Sequence, residues 1–305
     1  MRESNTGSPL FLCVGDIDVD VLVQVDRLPT RDGKVNGSLL QRAPGGMAGN
    51  VSVALSRLGA RVRIMGRVGD DPEAEFALEA LSRAGVDIDF VVHIVGARTF
   101  SCISLLTPDG EKSLIKLMTS AYRPGPADLS DLVYQGVSHV HLTSVGDPEL
   151  CRRVIELAHD HGATASLDIE KADCPGNTME LLKGVNGFDL VFCNSESREF
   201  VDATLGRPLD EQVPTVITTQ GATGSEVETK GVLFFSPGFD AKVVDTTGAG
   251  DCFAAAFLYA RLMSRLDWVQ ALRFANKAAA MSTTGLGAQS ALPTADEVLA
   301  KLSGS

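Results

Sequence analysis

Asp245-Thr246-Thr247-Gly248-Ala249-Gly250-Asp251 stands near the end of the chain, and Phe253, Ala256, Phe257 and Ala260 follow it at helical spacing. The stretch reads as a tight turn that opens an apolar helix. Glycines 248 and 250 let the backbone approach a ligand, and the helix start offers unpaired N–H groups and a positive dipole end, so an anion is expected there. A carboxylate in a first helical turn is favoured by about 0.3–1 kcal/mol through the dipole alone. Two Asp flanking Gly-Ala-Gly exceed what capping requires. The pattern G-x-x-x-x-G-K-[ST] occurs nowhere, and Gly248-x-Gly250-x-x-Phe253 lacks the third glycine of a dinucleotide fingerprint and lies far from the first strand. A Walker-type loop and NAD binding are therefore disfavoured.

Working back along the chain, a second glycine cluster, Gly45-Gly46-Met47-Ala48-Gly49-Asn50, follows an irregular polar stretch. Val51, Ala54, Leu55 and Leu58 then repeat at helical spacing, with Gly59 as a stop and Asn50 expected as the cap. Three glycines are more than a cap needs and would bring main-chain N–H groups against a small polar ligand. Gly15-Asp16-Ile17-Asp18-Val19-Asp20 closes the first expected strand, at the edge where open α/β sheets bind ligands. Its three carboxylates either grip hydroxyl groups or are solvated.

Between these clusters, short β-branched runs alternate with helical patterns, the signature of βαβ units around a largely parallel sheet. Strands are expected at 11–15, 62–68, 137–142, 164–169, 190–193 and 215–219, with helices near 72–83, 148–161, 195–203, 249–264 and 268–284. Asp18 to Val25, and Thr99 to Leu106 with Ser113 to Leu117 around Pro108-Asp109-Gly110, alternate without helices to cover them. They predict a small separate sheet, a lid from segments about 17–42 and 98–118, serving as a flap over a site or as a dimer contact. No linker divides the 305 residues, so one domain, 1–305, is expected: three-layer α/β/α with a central mostly parallel sheet and a β-sheet lid.

Twenty-seven Lys and Arg against 39 Asp and Glu leave a net charge of −12, which repels nucleic acid and anionic membrane surfaces. No window approaches the ~20 apolar residues of a spanning helix, and Met1 to Pro9 is polar, so a cytoplasmic protein is expected. Cysteines 13, 102, 151, 174, 193 and 252 form no C-x-x-C pair and read as small buried thiols.

From Leu12 to Pro293 the chain resembles the ribokinase-like, PfkB-type carbohydrate kinases. The resemblance rests on Gly45-Gly46-x-x-x-Asn50 with Leu58-Gly59-Ala60 and Gly66-Arg67-Val68-Gly69-Asp70-Asp71, and on Asp245 to Asp251. It implies ATP-dependent phosphorylation of a primary hydroxyl of a small sugar or sugar acid. Asp251 would be the general base, and Gly248, Ala249 and Gly250 the anion hole for the transferring phosphoryl. Asp18, Asp20, Gly45, Gly46, Asn50 and Asp168 would bind the sugar. Asn194, Thr219, Gly221, Gly224, Asn276 and Gly287 would form the nucleotide site. The family also implies Mg²⁺, a homodimer through the lid, and leaves K⁺ open near Asp245 and Thr247 through main-chain carbonyls.

The departures carry information as well. Asn194 is followed at the third place by Ser197 where the family commonly has Glu, so Glu196 or Glu199 would hold magnesium-bound water. Asp18 replaces the Asn of ribokinase and Met47 its Lys, His141-Leu142-Thr143-Ser144 lacks its acidic contact, and Ala291 replaces a Ser of the cation ring. Ribose is therefore not the first choice. Arg98, Lys116 or Arg123 would pair with an acidic group on the substrate. Two rivals remain: a nucleoside kinase, for which the lid segments offer only Phe100 and Tyr122 to stack a base, and a catalytically silent sugar- or nucleotide-binding regulator.

Overall fold

The computed structural model describes residues 8–108, 112–143, 147–174 and 187–304. In chain order β1 (Leu10–Val14), β2 (Asp18–Val25) and β3 (Gly37–Gly45) precede α1 (Met47–Arg57). Next come β4 (Arg61–Met65), β5 (Arg67–Val68), α2 (Pro72–Arg83), β6 (Val92–His93), β7 (Ser101–Leu106) and β8 (Lys112–Leu117). The middle of the chain supplies α3 (Asp131–Tyr134), β9 (Val137–Thr143), α4 (Pro148–Asp160), β10 (Thr164–Ile169), β11 (Leu190–Asn194) and α5 (Ser195–Leu205). The last third adds β12 (Thr215–Thr219), β13 (Gly224–Thr229), β14 (Val232–Pro237), α6 (Ala249–Leu258), α7 (Trp268–Ser282) and α8 (Ala295–Ser303).

The large sheet has the order β14-β13-β12-β11-β10-β9-β1-β4. It is parallel from β4 to β12, and antiparallel where β13 and β14 are added. Parallel strands are covered on both faces, which is why their residues read as continuous apolar runs rather than alternations. Phe11 and Cys13 of β1 join the core formed with α1, α6 and α7, whereas Leu12 and Val14 join the core formed with α4. Three layers follow from that two-sided burial. His139 and His141 of β9 face the first of these cores, where both share the Ser166 hydroxyl at 2.7 Å. His141 is thus sheet interior, and Ser144 lies outside the described residues.

The second sheet, β3-β2-β7-β8, is the lid. Leu106 pairs with Lys112 across the β7–β8 hairpin, whose tip at 109–111 lies outside the described residues. Five local readings differ from what forms. The polar stretch before Gly45 is strand β3; Ser38, Leu39 and Leu40 at its start are exposed, so no apolar alternation marks it. The edge strand β14 also went unread, with Val232, Leu233 and Phe235 exposed. The run 62–68 breaks at Gly66 into β4 and β5, and the helix expected at 249–264 ends regularly at Leu258 before a π-helical turn, Tyr259–Met263. Asn50 is not the cap of α1: Gly46 is, at φ +85° where a side chain is disfavoured, and Asn50 sits one turn inside the helix.

Candidate active site

α6 begins at Ala249 on Gly248, whose φ of +73° is left-handed and whose added Cβ would lie 2.6 Å from the Cβ of Ala288. The Ala249 N–H donates to the Thr246 carbonyl at 3.2 Å. The next N–H groups of the first turn have no helical acceptor, which makes this end a receptor for anionic oxygen. Asp245 shapes the turn. Its Oδ1 accepts from the Thr247 N–H at 3.0 Å and the Thr247 hydroxyl at 2.6 Å, and its Oδ2 accepts from the Gly287 N–H at 2.9 Å. Burial opposes ionisation of Asp245, yet these donors and the nearby Lys112 hold its carboxyl below the ordinary range.

Asp251, in the first turn of α6, is only 8% exposed. Burial raises its carboxyl well above the ordinary carboxylate range; the Asn50 N–H, 2.8 Å from Oδ2, pulls it down, and the charges of Asp168, Glu170 and Asp16 push it up. A group so placed takes a proton readily once it is ionised, which suits a general base. Asn50 in turn accepts from Nε2 of Gln289 at 2.9 Å.

Two cavities meet at this turn. The first, about 280 Å³, is walled by Asp16, Asp18 and Asp20 on one side and by Gly46, Asn50, Glu170 and Asp251 on the others. Lys112, Leu114 and Lys116, alternate residues of β8, also line it, with Phe100 and Tyr122. The second, about 400 Å³, is lined by Thr219, Gly221, Gly224, Phe239, Phe253 and Asn276 among others. Thr246 and Gly250 belong to both, so ligands in the two cavities would touch across the Gly248–Gly250 turn.

Of the residues expected at the sugar, Asp18, Asp20, Gly46 and Asn50 share the first cavity with Asp251. Gly45 lies behind the Asp18 and Asp20 carboxylates, and Asp168 lines neither cavity, reaching Asp251 only through its charge. Burial and the charges of Asp20 and Asp16 drive the Asp18 carboxyl up. Burial takes Asp20 to about 6 against the pull of Lys112. On the nucleotide side Thr219, Gly221, Gly224 and Asn276 line the second cavity, and the Asn276 amide is tied to Ser225 and the Ser236 carbonyl. Asn194 and Gly287 do not line it. The Asn194 side chain caps α5 by accepting from the Ser197 N–H at 2.8 Å, and Gly287 serves Asp245.

Neither magnesium candidate lies on a cavity: Glu196 pairs with Lys171 at 2.7 Å, and Glu199 is exposed on α5. The acid that does line the first cavity is Glu170, two residues beyond Asp168 and so on the same side of the chain. For potassium, the Asp245 and Thr247 side chains are already committed to each other, and Lys112 stands at the same place, bonded to the Thr247 hydroxyl and 3.8 Å from Asp245. Any cation here would be held by the main-chain carbonyls, not by these side chains. Lys112, Glu170 and Gln289 were not singled out in the sequence. Only Lys112 left a signal, the alternation Lys112-Leu114-Lys116.

The model for the pfkB family of carbohydrate kinases matches residues 8–295. An ATP-dependent ribose-1-phosphate kinase of Halopiger xanaduensis is 33% identical over 303 residues, covering 96% of this chain and 97% of the relative. The ribokinase of Bacillus subtilis is 29% identical over 297 residues, covering 94% and 97%. Among solved structures, Arabidopsis thaliana ribokinase complexed with ribose and ATP superposes with a TM-score of 0.84 at 25% identity, covering 98% of this chain and 100% of that one. A left-handed glycine turn at a helix start, set between two cavities with a buried carboxylate beside it, thus sits in a chain matched over residues 8–295, and the protein belongs to the pfkB family of carbohydrate kinases, enzymes that transfer phosphate to a hydroxyl group.

Proposed function

We propose that this protein is a cytoplasmic kinase that uses ATP to phosphorylate a primary hydroxyl of a small sugar or sugar acid. The observation that supports it most is the shared wall of the two cavities. Thr246 and Gly250 face both, and Asp251 faces only the one lined by carboxylates. ATP in the larger cavity would extend its terminal phosphate to the Gly248, Ala249 and Gly250 backbone. Asp251 would accept the proton of the attacking hydroxyl as the phosphoryl group passes in line, a reaction that needs positioning and charge stabilisation more than covalent help. Asp18 and Asp20, ionised or sharing protons, would orient the remaining hydroxyls. Magnesium would enter with the ATP phosphates and neutralise their charge. Glu170, on the wall beside Asp251, has the oxygen donors it prefers, and Glu196 and Glu199 do not face the site.

The nucleoside reading finds little support. Phe100 and Tyr122 pack on each other with ring centroids 4.1 Å apart, and beside them Met47 and Leu114 stand among Asp16, Asp18, Asp20, Lys112 and Lys116. Retention of Asp251 and the intact turn speak against a silent regulator. Lys116 in the cavity, and Arg123 over the Tyr122 ring at 4.3 Å, favour a substrate that carries an acidic group of its own, in line with the phosphorylated substrate of the Halopiger relative. Pairing of two lids would cover Leu39, Leu40, Leu114, Ile115 and Leu117, which are exposed on β3 and β8.

The test is ADP release with ATP and Mg²⁺ against ribose, ribose 1-phosphate, fructose, keto-deoxy sugar acids and nucleosides. A sugar or its acidic derivative is expected to give the highest kcat/KM. If every nucleoside outperformed every sugar, the assignment would be wrong.

A further inference from the structure

Three consecutive residues, all far in sequence from the groups they serve, meet two parts of the catalytic turn and its neighbour Asn50 on α1. Gly287 donates its N–H to Asp245 Oδ2, Ala288 packs against Gly248, and Gln289 donates its Nε2–H to Asn50 Oδ1. The third contact is the one with chemical direction. Asn50 has one acceptor oxygen and one NH₂ donor, and the donor points at Asp251 Oδ2 at 2.8 Å.

An ionised carboxylate can only accept. The opposite amide orientation would set oxygen against oxygen unless Asp251 carried a proton. The Asn50 orientation therefore selects the protonation state of its neighbour. With Asp251 read as the base, we propose that Gln289 is a positioning residue: by occupying Asn50 Oδ1 it keeps the Asn50 N–H aimed at Asp251 and so holds that carboxylate in its ionised, proton-accepting form.

The acidic groups around Asp251 work against its ionisation, while Lys112 and Lys116 line the same cavity. Asp16 and Asp18 at the start of the lid, and Asp168 and Glu170 at the end of β10, are all acidic. Cys252, the next residue of α6, has its own thiol raised by burial and by Asp251. Against that acidic surround the Asn50 hydrogen bond and the N-terminal end of α6 favour the charged form, and Gln289 backs the first of these. Satisfying the buried Asn50 Oδ1 would also suit a purely structural role, so the test reads the pH profile beside stability.

The experiment is the pH dependence of kcat/KM, which reports the free enzyme's base. It is run on wild type, Gln289→Met, Gln289→Glu and Asp251→Asn, with thermal unfolding of each. Gln289→Met is expected to move the acid limb up by about one pH unit, with activity about tenfold lower below the limb and restored at alkaline pH. Gln289→Glu is expected to move it further, because a carboxylate at 289 accepts from the Asn50 NH₂, turns the amide round and adds charge.

A loss by the same factor at every pH, or no loss, would overturn the proposal. If Gln289→Glu fails to fold, the neutral Gln289→Met decides alone. Wild-type activity in Asp251→Asn would remove the base assignment and this inference with it. An inactive Asp251→Asn beside an unmoved limb in the Gln289 variants would sink the inference only.

Discussion

Asp251→Asn is expected to lower kcat by about 10³-fold while changing the KM for ATP by no more than a few-fold, as steady-state ADP release would show. The substitution keeps size and shape, so the packing of α6 is preserved. What it removes is the buried carboxylate that the proposed function assigns to take the hydroxyl proton. In the proposed function ATP would occupy the second cavity, which Asp251 does not line, so nucleotide binding has little reason to change. An equal fall in kcat and in ATP affinity would point instead to a damaged turn. A kcat near wild type would remove Asp251 from catalysis.

The second large effect is expected from Gly248→Ala. At φ +73° a side chain costs roughly 1–2 kcal/mol, and the new methyl would sit 2.6 Å from the Ala288 Cβ and 3.0 Å from its Cα. Neither neighbour is the end of a flexible chain, so the turn itself must shift. Displacing one anion-hole donor costs about 10²–10³-fold in kcat, and unfolding is expected to come several degrees earlier from strain of this kind. Gly250→Ala is the matched control. Nothing lies within 4 Å of the Cβ it adds, and the position is helical, so its stability should hold or rise slightly. That methyl would project where both cavities meet, so activity should fall without loss of stability. Equal stabilities of the two variants would mean that Gly248 is not needed for the shape of the turn.

How much of this was legible follows from what each signal depends on. β1, β9, β10, β11 and β12 were readable because burial on both faces forces apolar runs. β3 was not, because it lies at a sheet edge with exposed side chains and is held by backbone pairing that leaves no mark on residue type; β14, at the edge of the other sheet, does carry the apolar run Val232 to Phe235. Asp251 and its glycines announced themselves because a close backbone approach restricts residue choice locally. Asn50 was found but misread as a cap, since Gly46 can start the helix one turn earlier without side-chain help. Gln289 reaches Asn50 across 239 positions, and nothing in its own neighbourhood reveals that partner. Asn194 and Gly287, placed at the nucleotide by resemblance, are seen here capping a helix and donating to the Asp245 carboxylate.

The most direct measurement is a crystal structure with a non-hydrolysable ATP analogue and an acceptor sugar. The expected result is the terminal phosphate on the N–H groups of the Gly248–Gly250 turn and a sugar hydroxyl hydrogen-bonded to Asp251. A terminal phosphate lodged away from that turn, with the sugar out of reach of Asp251, would contradict the assignment of both.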